Sequence, residues 1–292
     1  MPLPPNSKAL NKRVASCILV ILVVLIPLVA WLFRPLFGWA FCALLLLVFA
    51  LTLGLAITAR AGGILINEQN VFSLARLQAV LWTIIILSAY IVGVVVRITH
   101  HAAAPLDIGI DQHLWALMGI SVTSLVGSPL IAATKYAKDP DAGQIKQTAE
   151  ALVATKNIPT ILSTPATISS PPTTPPDQVK QVQDTLDATK MGTLYANPTG
   201  ADASFSDIFE GDEIGNAAHI DLGKVQMFFF TIVIALSYSI SIGSTLSAIR
   251  AHTANPFSHF PVLSEGMLTL LGISHAGFLV NKGVDHTKQT GT

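Results

Sequence analysis

Six long runs of apolar residues dominate the chain, and polar loops separate them. Each run approaches the roughly 20 apolar residues that a helix needs to cross a bilayer. The first five contain no Asp, Glu, Lys or Arg, whereas the sixth contains Glu265 near its start and His275 near its middle. The pattern predicts an all-α integral membrane protein with six transmembrane helices, at about residues 14–33, 37–59, 77–96, 114–133, 225–249 and 262–280.

The first run has one feature of a cleaved signal peptide, because Lys8, Lys12 and Arg13 precede it. Its apolar core, residues 17–33, is longer than the roughly 7–15 residues of a signal-peptide core, and no Ala-x-Ala site follows it. We therefore expect this segment to be retained as a membrane anchor.

Composition agrees with lipid as the main solvent of the chain. Hydrophobic residues make up 51% of the sequence and charged residues 12%, about half the charged fraction of average soluble domains. The formal net charge is zero, so no overall basic field favours nucleic acid. Cys17 and Cys42 both lie inside apolar runs and are interpreted as hydrophobic fillers.

The distribution of Lys and Arg predicts the orientation, since cytoplasmic loops carry an excess of these residues. With the N-terminus in the cytoplasm, 14 basic residues fall on the inner side and three fall on the outer side. The three outer residues are Arg34, Arg97 and Arg250. Both termini and the long segment between the fourth and fifth runs are therefore predicted to be cytoplasmic.

Two parts of the chain look like copies of one hairpin. A shift of 148 residues brings matching positions together in order: Leu74 falls on Leu222, Arg76 on Lys224, Gln78 on Gln226, Thr83 on Thr231 and Tyr90 on Tyr238. A shift of 153 residues places residues 117–121 on residues 270–274. We expect runs three and four and runs five and six to form a parallel duplicated hairpin, with its symmetry axis along the membrane normal.

The entrance of each copy is polar. Ser73 and Asp221 are positioned as helix N-caps, and the basic residues that follow them can anchor the helix at the interface. Further in, one glutamine of each copy either contributes to capping and helix packing or forms a polar vestibule. The serines of the fifth run likewise either pack against other helices or line a water-filled groove. The candidate polar pathway comprises Gln78, Gln226, Ser237, Ser241 and His275.

Small residues recur at four-residue spacing in the fourth and sixth runs. Such faces let helices approach closely in lipid, where packing rather than the expulsion of water drives association. We expect these two helices to pack through Gly119, Thr123, Gly127, Gly272 and Ala276.

The segment between the two hairpins is mostly polar. From residue 159 to residue 176, 14 of 18 residues are Pro, Ser or Thr, a composition that buries too little apolar surface to fold. A largely disordered cytoplasmic insert with a short helix on each side is predicted. The expected organisation is an N-terminal hairpin (1–60), a first repeat hairpin (61–134), the insert (135–204), an acidic docking segment with the second repeat hairpin (205–283) and a cytoplasmic tail (284–292).

The end of the insert mixes apolar and acidic side chains. The apolar ones suit one helical turn that lies against the membrane or the helix bundle. A solvated acidic loop and a cation site remain open, although the spacing is not that of a calcium loop. We interpret the segment first as a docking element made by Phe205, Ile208, Phe209, Glu210, Asp212 and Glu213.

Four stretches carry a resemblance to a known family: "SLARLQAVLWTI" (73–84), "DIFEGDE" (207–213), "DLGKVQMFFFT" (221–231) and "FPVLSEGMLTLLGISHAGFLVNK" (260–282). They are similar to segments of polytopic bacterial inner-membrane proteins usually described as uncharacterised. The resemblance covers the third to sixth runs and implies a bacterial inner membrane. It implies no activity and no site.

The histidines are the candidates for chemistry, since no nucleotide-binding loop, zinc-finger spacing or nucleophile elbow appears. No cofactor and no metal are predicted. His275 lies inside a span, where an ionisable residue suggests function. No other span offers an internal carboxylate, so a neutral His275 bonded to Ser or backbone is preferred over an ion pathway. For the histidines of the outer side, ordinary loops, a metal site and pH sensing remain open: His100, His101, His113, His252 and His259.

Two classes of function are compatible with this pattern. The preferred one is a non-enzymatic structural or anchoring component of the bacterial inner membrane, which assembles with itself or with other protein subunits and presents a cytoplasmic docking segment. The alternative is an ion channel or small-solute transporter subunit with a polar groove between the repeats. The lack of charged residues within most spans favours the first.

The predicted topology can be tested by labelling single cysteines in a variant without native cysteines. Cysteines at Ala103 and Asn255 should react with an impermeant thiol reagent in intact cells, because both fall on the predicted outer side. Cysteines at Ser170 and Thr290 should not react. Labelling at Ser170 would show that the orientation is wrong.

Overall fold

The structure, a computed structural model, describes residues 11–155, 175–250 and 256–289. Helices account for 71% of these residues and none of them forms a strand. The α-helices are α1 (Lys12–Leu32), α2 (Pro35–Thr58), α3 (Leu74–Thr99), α4 (Gln112–Lys135), α5 (Ala142–Thr155), α6 (Pro175–Thr189), α7 (Leu222–Ser247) and α8 (Glu265–Gly283). The predicted all-α class is confirmed.

Five of the helices are long and apolar enough to cross a membrane: α1, α2, α3, α4 and α7. The chain is therefore a multi-pass helical membrane protein. The sixth predicted span corresponds to α8, which has 19 residues and is not among the five. Polar residues such as Glu265, His275 and Lys282 lower its mean hydropathy.

By internal contacts the chain divides into two units. Unit one comprises Met1–Ile64, Leu77–Val122 and Phe229–Ile273. Its core is apolar and aromatic, and the Trp82 and Tyr238 rings meet edge-on within it, with centroids 6.3 Å apart. Many large apolar side chains of α1 and α2 are exposed, as expected for helices that face lipid rather than water.

The predicted outer loops of unit one are held by hydrogen bonds to tyrosine hydroxyls and to each other. The Tyr90 hydroxyl donates to Leu106 O at 3.2 Å, and the Tyr238 hydroxyl donates to Pro261 O at 3.1 Å. The two loops pair at Gly109, whose N–H donates to Ser258 O at 2.8 Å. Tyr90 and Tyr238, which coincide in the sequence shift, thus each hold a predicted outer loop.

Unit two comprises Leu65–Arg76, Thr123–Phe228 and Ser274–Thr292. It contains a second core, in which α5 and α6 pack against residues 195–217 through Ile145, Ala149, Leu152, Val182, Leu186, Tyr195, Ile214 and Ala217. The Thr148 hydroxyl adds a buried hydrogen bond to Ile214 O at 2.7 Å. Both predicted short helices are present, and their apolar stripes are buried within the unit.

The insert is therefore folded over residues 135–155 and 175–224, where a largely disordered segment was expected. The expectation followed from the Pro/Ser/Thr-rich stretch, most of which falls on residues 156–174, outside the described residues. The predicted C-terminal tail also belongs to unit two. Its Lys288 O accepts from the Asp141 N–H at 2.8 Å, and its Thr287 hydroxyl accepts from the Gly215 N–H at 2.9 Å.

The segments that lead into α3 and α7 share one hydrogen-bond pattern. A five-residue 3₁₀ helix comes first in each, Ala61–Leu65 and Phe205–Phe209. A turn follows, closed by the Ser73 N–H to Leu65 O in one segment and by the Asp221 N–H to Phe209 O in the other, both at 2.8 Å. An inner hydrogen bond links residues 67 and 71 in the first turn and residues 211 and 219 in the second, so the second turn is four residues longer.

The basic residue in the first turn of each of these helices has equivalent partners as well. Arg76 donates to Ile66 O at 2.5 Å and to the Glu68 carboxylate at 2.6 Å. Lys224 donates to Glu210 O at 2.5 Å and to the Asp212 carboxylate at 2.7 Å. In both segments the carboxylate stands two residues after the carbonyl.

The predicted small-residue face is not the face that α4 and α8 bury. Gly119, Thr123 and Ala276 are exposed. A Cβ at Gly127 would lie 3.5 Å from Leu279, and one at Gly272 would lie 3.7 Å from Ile120, both ordinary contact distances. The buried positions of α4 are instead Leu114, Leu117, Ser121, Ser124, Ser128, Ala132 and Lys135. This face was missed because glycine spacing reports close approach but not which polar side chains find partners.

A glycine with a demonstrable steric role is Gly54 in α2. A Cβ there would lie 2.6 Å from the carbonyl oxygens of both Arg60 and Ala61, where the chain turns after Ala59 in the left-handed conformation. Gly54→Ala should therefore destabilise the protein by roughly 1–3 kcal/mol through overpacking, seen as a lower melting temperature by tryptophan fluorescence in detergent. Gly119→Ala is the matched control, since no described atom lies within 4 Å of its Cβ position. An unchanged melting temperature for Gly54→Ala would contradict the close approach.

Candidate functional site

Six charged side chains of unit two meet at the ends of three helices. Lys135 lies in the last turn of α4, Lys224 in the first turn of α7 and Lys282 in the last turn of α8. The segment before α7 supplies carboxylates. We call the set the charged cluster, made of Lys135, Asp212, Glu213, Asp221, Lys224 and Lys282.

Lys135 is the most deeply buried cation of the cluster. Its ammonium pairs with the Glu213 carboxylate and donates to Lys282 O and Val284 O, both at 2.7 Å. An ammonium has three donors, so all three are used. The two carbonyls belong to the C-terminal end of α8, where carbonyl groups lack partners within the helix and the helix dipole favours a positive charge.

The Glu213 carboxylate also has hydrogen bonds to both of its oxygens. Beside Lys135, its two oxygens accept from the His286 N–H, at 3.1 Å each. Its own N–H donates to the Asn216 side chain at 3.0 Å. The side chain is 1% exposed, so water contributes little to the solvation of this carboxylate.

Asp212 bridges two lysines. Lys224 donates to one oxygen at 2.7 Å and Lys282 donates to the other at 2.8 Å. Burial alone raises the pKa of Asp212, but the two ammonium groups and their hydrogen bonds more than offset it, so the pKa lies well below the usual range. Asp212 therefore joins the start of α7 to the end of α8.

Asp221 is the N-cap of α7, as predicted. One oxygen accepts from the N–H groups of Gly223 and Lys224, at 2.9 and 3.1 Å. The other accepts from the Asn281 side-chain amide at 3.0 Å, so the cap also holds α8. Ser73 caps α3 through a longer bond of 3.4 Å to the Arg76 N–H.

The predicted docking segment is engaged within unit two. Ile208 is buried, and Phe205 and Phe209 form an edge-on aromatic group with Phe228 of α7, with centroids 5.1–6.2 Å apart. Glu210, Asp212 and Glu213 all take part in the contacts above. The carboxylates of Asp212 and Glu213 and the backbone carbonyl of Glu210 thus bind lysines of the same chain.

The candidate polar pathway is divided between the two units. Gln78 of unit one is fully buried and donates to the Thr231 hydroxyl at 2.5 Å, whereas Ser237 and Ser241 are half-buried. Gln226 of unit two is exposed. The two glutamines therefore have different surroundings, and within each unit no described contact links the predicted pathway residues to one another.

His275 of unit two is buried and bonded to serine. Its Nδ1 lies 2.6 Å from the Ser124 hydroxyl, which agrees with the preferred interpretation of a neutral histidine. Two further buried hydroxyls, those of Ser128 and Ser274, have no hydrogen-bond partner among the described residues. This polar region of α4 and α8 was only partly foreseen, because the serines of α4 were counted as small residues.

Two histidines of the predicted outer loops have local polar contacts. His113 Nδ1 lies 2.8 Å from the Asp111 carboxylate, and His259 Nδ1 lies 3.0 Å from the Ser258 hydroxyl. His252 falls outside the described residues. Within the described ranges no group of three or more His, Cys, Asp or Glu side chains is placed to hold a metal ion.

Sequence reasoning missed the two groups that complete the cluster, Lys135 and the His286 N–H. Lys135 was counted only as a positive residue of the inner side, and the residues after α8 were assigned to a separate tail. Both join the cluster through contacts across more than 70 residues of sequence, for which the local pattern has no signal. Comparison with family models, curated proteins and solved structures found no match.

Removal of one member of the buried pair should unfold much of unit two. Glu213→Gln leaves the Lys135 ammonium buried without a counter-charge, and breaking such a pair typically costs about 3–5 kcal/mol. The matched control is Glu68→Gln, since Glu68 pairs with Arg76 but is 59% exposed, and exposed pairs contribute about 1 kcal/mol or less. Thermal unfolding and limited proteolysis of residues 135–224 would measure both. Equal effects of the two variants would contradict a special role of the buried pair.

The Asp212 contacts predict an acid dependence. Because the pKa of Asp212 in the folded protein lies below the unfolded value of about 3.9, its stabilisation is fully present above about pH 4 and is lost as the pH falls towards the folded pKa. Asp212→Asn should melt at a lower temperature at neutral pH and show a smaller further loss below about pH 4. The measurement is melting temperature against pH, and parallel curves for wild type and variant would refute it.

Proposed function

We propose that the protein is a non-enzymatic structural or anchoring component of a membrane, which holds a folded cytoplasmic module on the ends of its helices. The observation that carries this proposal is the state of the charged cluster. Lys135 pairs with Glu213 and binds two backbone carbonyls, Glu213 also accepts from the His286 N–H, and Asp212 binds two other lysines. Such a cluster supports attachment better than catalysis, which requires groups that can reach a substrate.

Six spans with both termini in the cytoplasm are part of the proposal. Nineteen residues of α8 extend about 28 Å, close to the thickness of a bilayer core. Lys224 at the start of α7 and Lys282 at the end of α8 both bind Asp212. Since α7 begins and α8 ends at one carboxylate, a chain that crosses along α7 has to return along α8.

Duplication of the α3–α4 and α7–α8 hairpins is also proposed. The coincident sequence positions support it, and so do the matching 3₁₀ helix, closing hydrogen bonds and basic residue before α3 and before α7. The placement in a bacterial inner membrane rests on the family resemblance and on the distribution of basic residues. The expected partners are lipid, further copies of the chain and other protein subunits, with no role for nucleic acid.

A channel or transporter subunit is the second candidate, because one observation favours it. The Ser124–His275 pair forms a buried polar region of α4 and α8 together with the hydroxyls of Ser128 and Ser274, which have no hydrogen-bond partner among the described residues. Polar side chains at membrane depth often mark solute or proton paths. Under the anchoring proposal these groups instead hold α4 against α8.

Reconstitution in liposomes separates the two functions. We expect no proton or ion flux between pH 5 and pH 8, and we expect His275→Ala to lower the melting temperature by an amount equivalent to roughly 1 kcal/mol, the value of a lost hydrogen bond between membrane helices. Thr134→Ala, at an exposed position of α4, serves as the control. A pH-dependent flux that His275→Ala abolishes and Thr134→Ala preserves would overturn the anchoring proposal in favour of transport.

The anchoring proposal also predicts that the chain binds a protein partner. Purification of the full chain in mild detergent should retain further copies or another subunit, detected by native mass spectrometry. Phe205 is 53% exposed, whereas Asp207 and Ile208 of the same short helix are buried, so Phe205→Ser should reduce the retained partner without unfolding the unit. A strictly monomeric chain with no retained protein in several mild detergents would count against the proposal.

A further inference from the structure

A cavity of about 520 Å³ lies among helix ends of unit one. It is formed where α1 passes into α2, where α3 ends and where α7 ends. The residues that matter for its chemistry are Arg34, Leu36, Phe37, His100, Leu246 and Arg250. None of the described residues that line it is acidic.

The cavity has a cationic part and an apolar part. Arg34 and Arg250 supply the cationic part, and His100 is a further polar residue of the lining. Guanidinium groups bind phosphate through two parallel hydrogen bonds, which makes arginine the usual partner of that group. The cavity is also next to the start of α2 at Pro35, and the first N–H groups of a helix have no acceptor within it.

The apolar part of the cavity favours a lipid over a soluble anion as the ligand. Leu36, Phe37 and Leu246 line the same cavity, and Phe37 is 56% exposed. The neighbouring residues Leu32 and Phe33 at the end of α1 are also exposed apolar side chains. A phosphate with acyl chains attached matches this arrangement, because its charged and apolar ends meet the two parts of the cavity.

The position of the arginines adds a separate reason. Only three of the 17 Lys and Arg residues fall on the predicted outer side, and two of these three line this one cavity. Outer basic residues oppose the usual distribution in membrane proteins. Their convergence on one cavity is explained if they bind an anion there.

We propose that this cavity binds the phosphate headgroup of an anionic phospholipid. Arg34 and Arg250 contact the phosphate, and Phe37 and Leu246 contact the first part of the acyl chains. The assignment to the outer leaflet rests on the proposed topology and the proposed six spans, whereas the site itself does not. A site in the inner leaflet would therefore refute the topology and leave the lipid site intact.

The test compares melting temperatures of the full chain in detergent with added short-chain phosphatidylglycerol, phosphatidylcholine or inorganic phosphate. Phosphatidylglycerol should raise the melting temperature of the wild type more than the other two. In Arg34→Gln/Arg250→Gln the apparent affinity for phosphatidylglycerol should fall about tenfold or more, since two cationic contacts are lost. Arg34→Lys/Arg250→Lys keeps the charges but loses the paired hydrogen bonds, so its affinity should lie between that of the wild type and that of the glutamine variant.

Two controls keep the result interpretable. Lys12→Gln/Arg13→Gln removes two basic residues at the other end of α1 and should leave the tight phosphatidylglycerol site unchanged. If the double glutamine variant is unstable without lipid, the single variant Arg34→Gln replaces it, because the Arg34 side chain makes no cap hydrogen bond to α2. Equal affinity of wild type and glutamine variant for phosphatidylglycerol would overturn the proposal. Stabilisation by inorganic phosphate alone would overturn the lipid and assign the cavity to a free anion.

Discussion

The burial of the Lys135 ammonium constrains unit two more than any other single contact. A buried charge without partners is so costly that it would lose its proton or unfold the site. Here one carboxylate and two carbonyls accept from the ammonium. These acceptors come from the segment before α7 and from the end of α8, so the end of α4 is stable only when both are in place. If one acceptor is lost, the buried ammonium is incompletely paired and again carries a large free-energy cost.

Asp212 is subject to the same constraint, but as a buried negative charge that needs cations around it. Its two oxygens need two cations, and these come from the first turn of α7 and the last turn of α8. Adjacent residues of one short segment thus bind three helix ends, since Glu213 holds α4 and Asp212 holds α7 and α8. The residues after α8 add to this, because the His286 N–H completes the shell of Glu213. A membrane protein whose helix ends are fixed in this way can carry a folded polar module without a flexible joint at those ends.

The sequence was informative wherever a feature depends on neighbours along the chain. Apolar runs located α1 to α4, α7 and α8, and the Asp221 cap followed from an acidic residue just before a helical run. Features that depend on distant partners were not predictable. Gly119 and Thr123 matched a packing motif, yet the serine face next to them is buried, because Ser124 has a partner in His275 on another helix. The insert was judged by its Pro/Ser/Thr-rich stretch, although the apolar stripes of α5 and α6 bury each other.

The segments that lead into α3 and α7 differ at the place where the charged cluster forms. In the first repeat the short turn before α3 offers Glu68, which is largely exposed and pairs with Arg76 at the surface. The corresponding turn before α7 is four residues longer. Asp212 has the same place in this turn as Glu68 in the first, but it binds two lysines; Glu213 after it pairs with Lys135, and Ile214 lies in the core with α5 and α6. An exposed ion pair contributes little to stability, whereas a buried one is costly to break. The buried pairs of the turn before α7 therefore hold the helix ends more firmly than the Glu68–Arg76 pair holds the start of α3. The two glutamines differ as well, since Gln78 is buried against Thr231 while Gln226 is exposed. The segment before α3 thus forms a surface pair, whereas the segment before α7 ties three helix ends together, and for this reason the proposed anchoring function is assigned to the second segment.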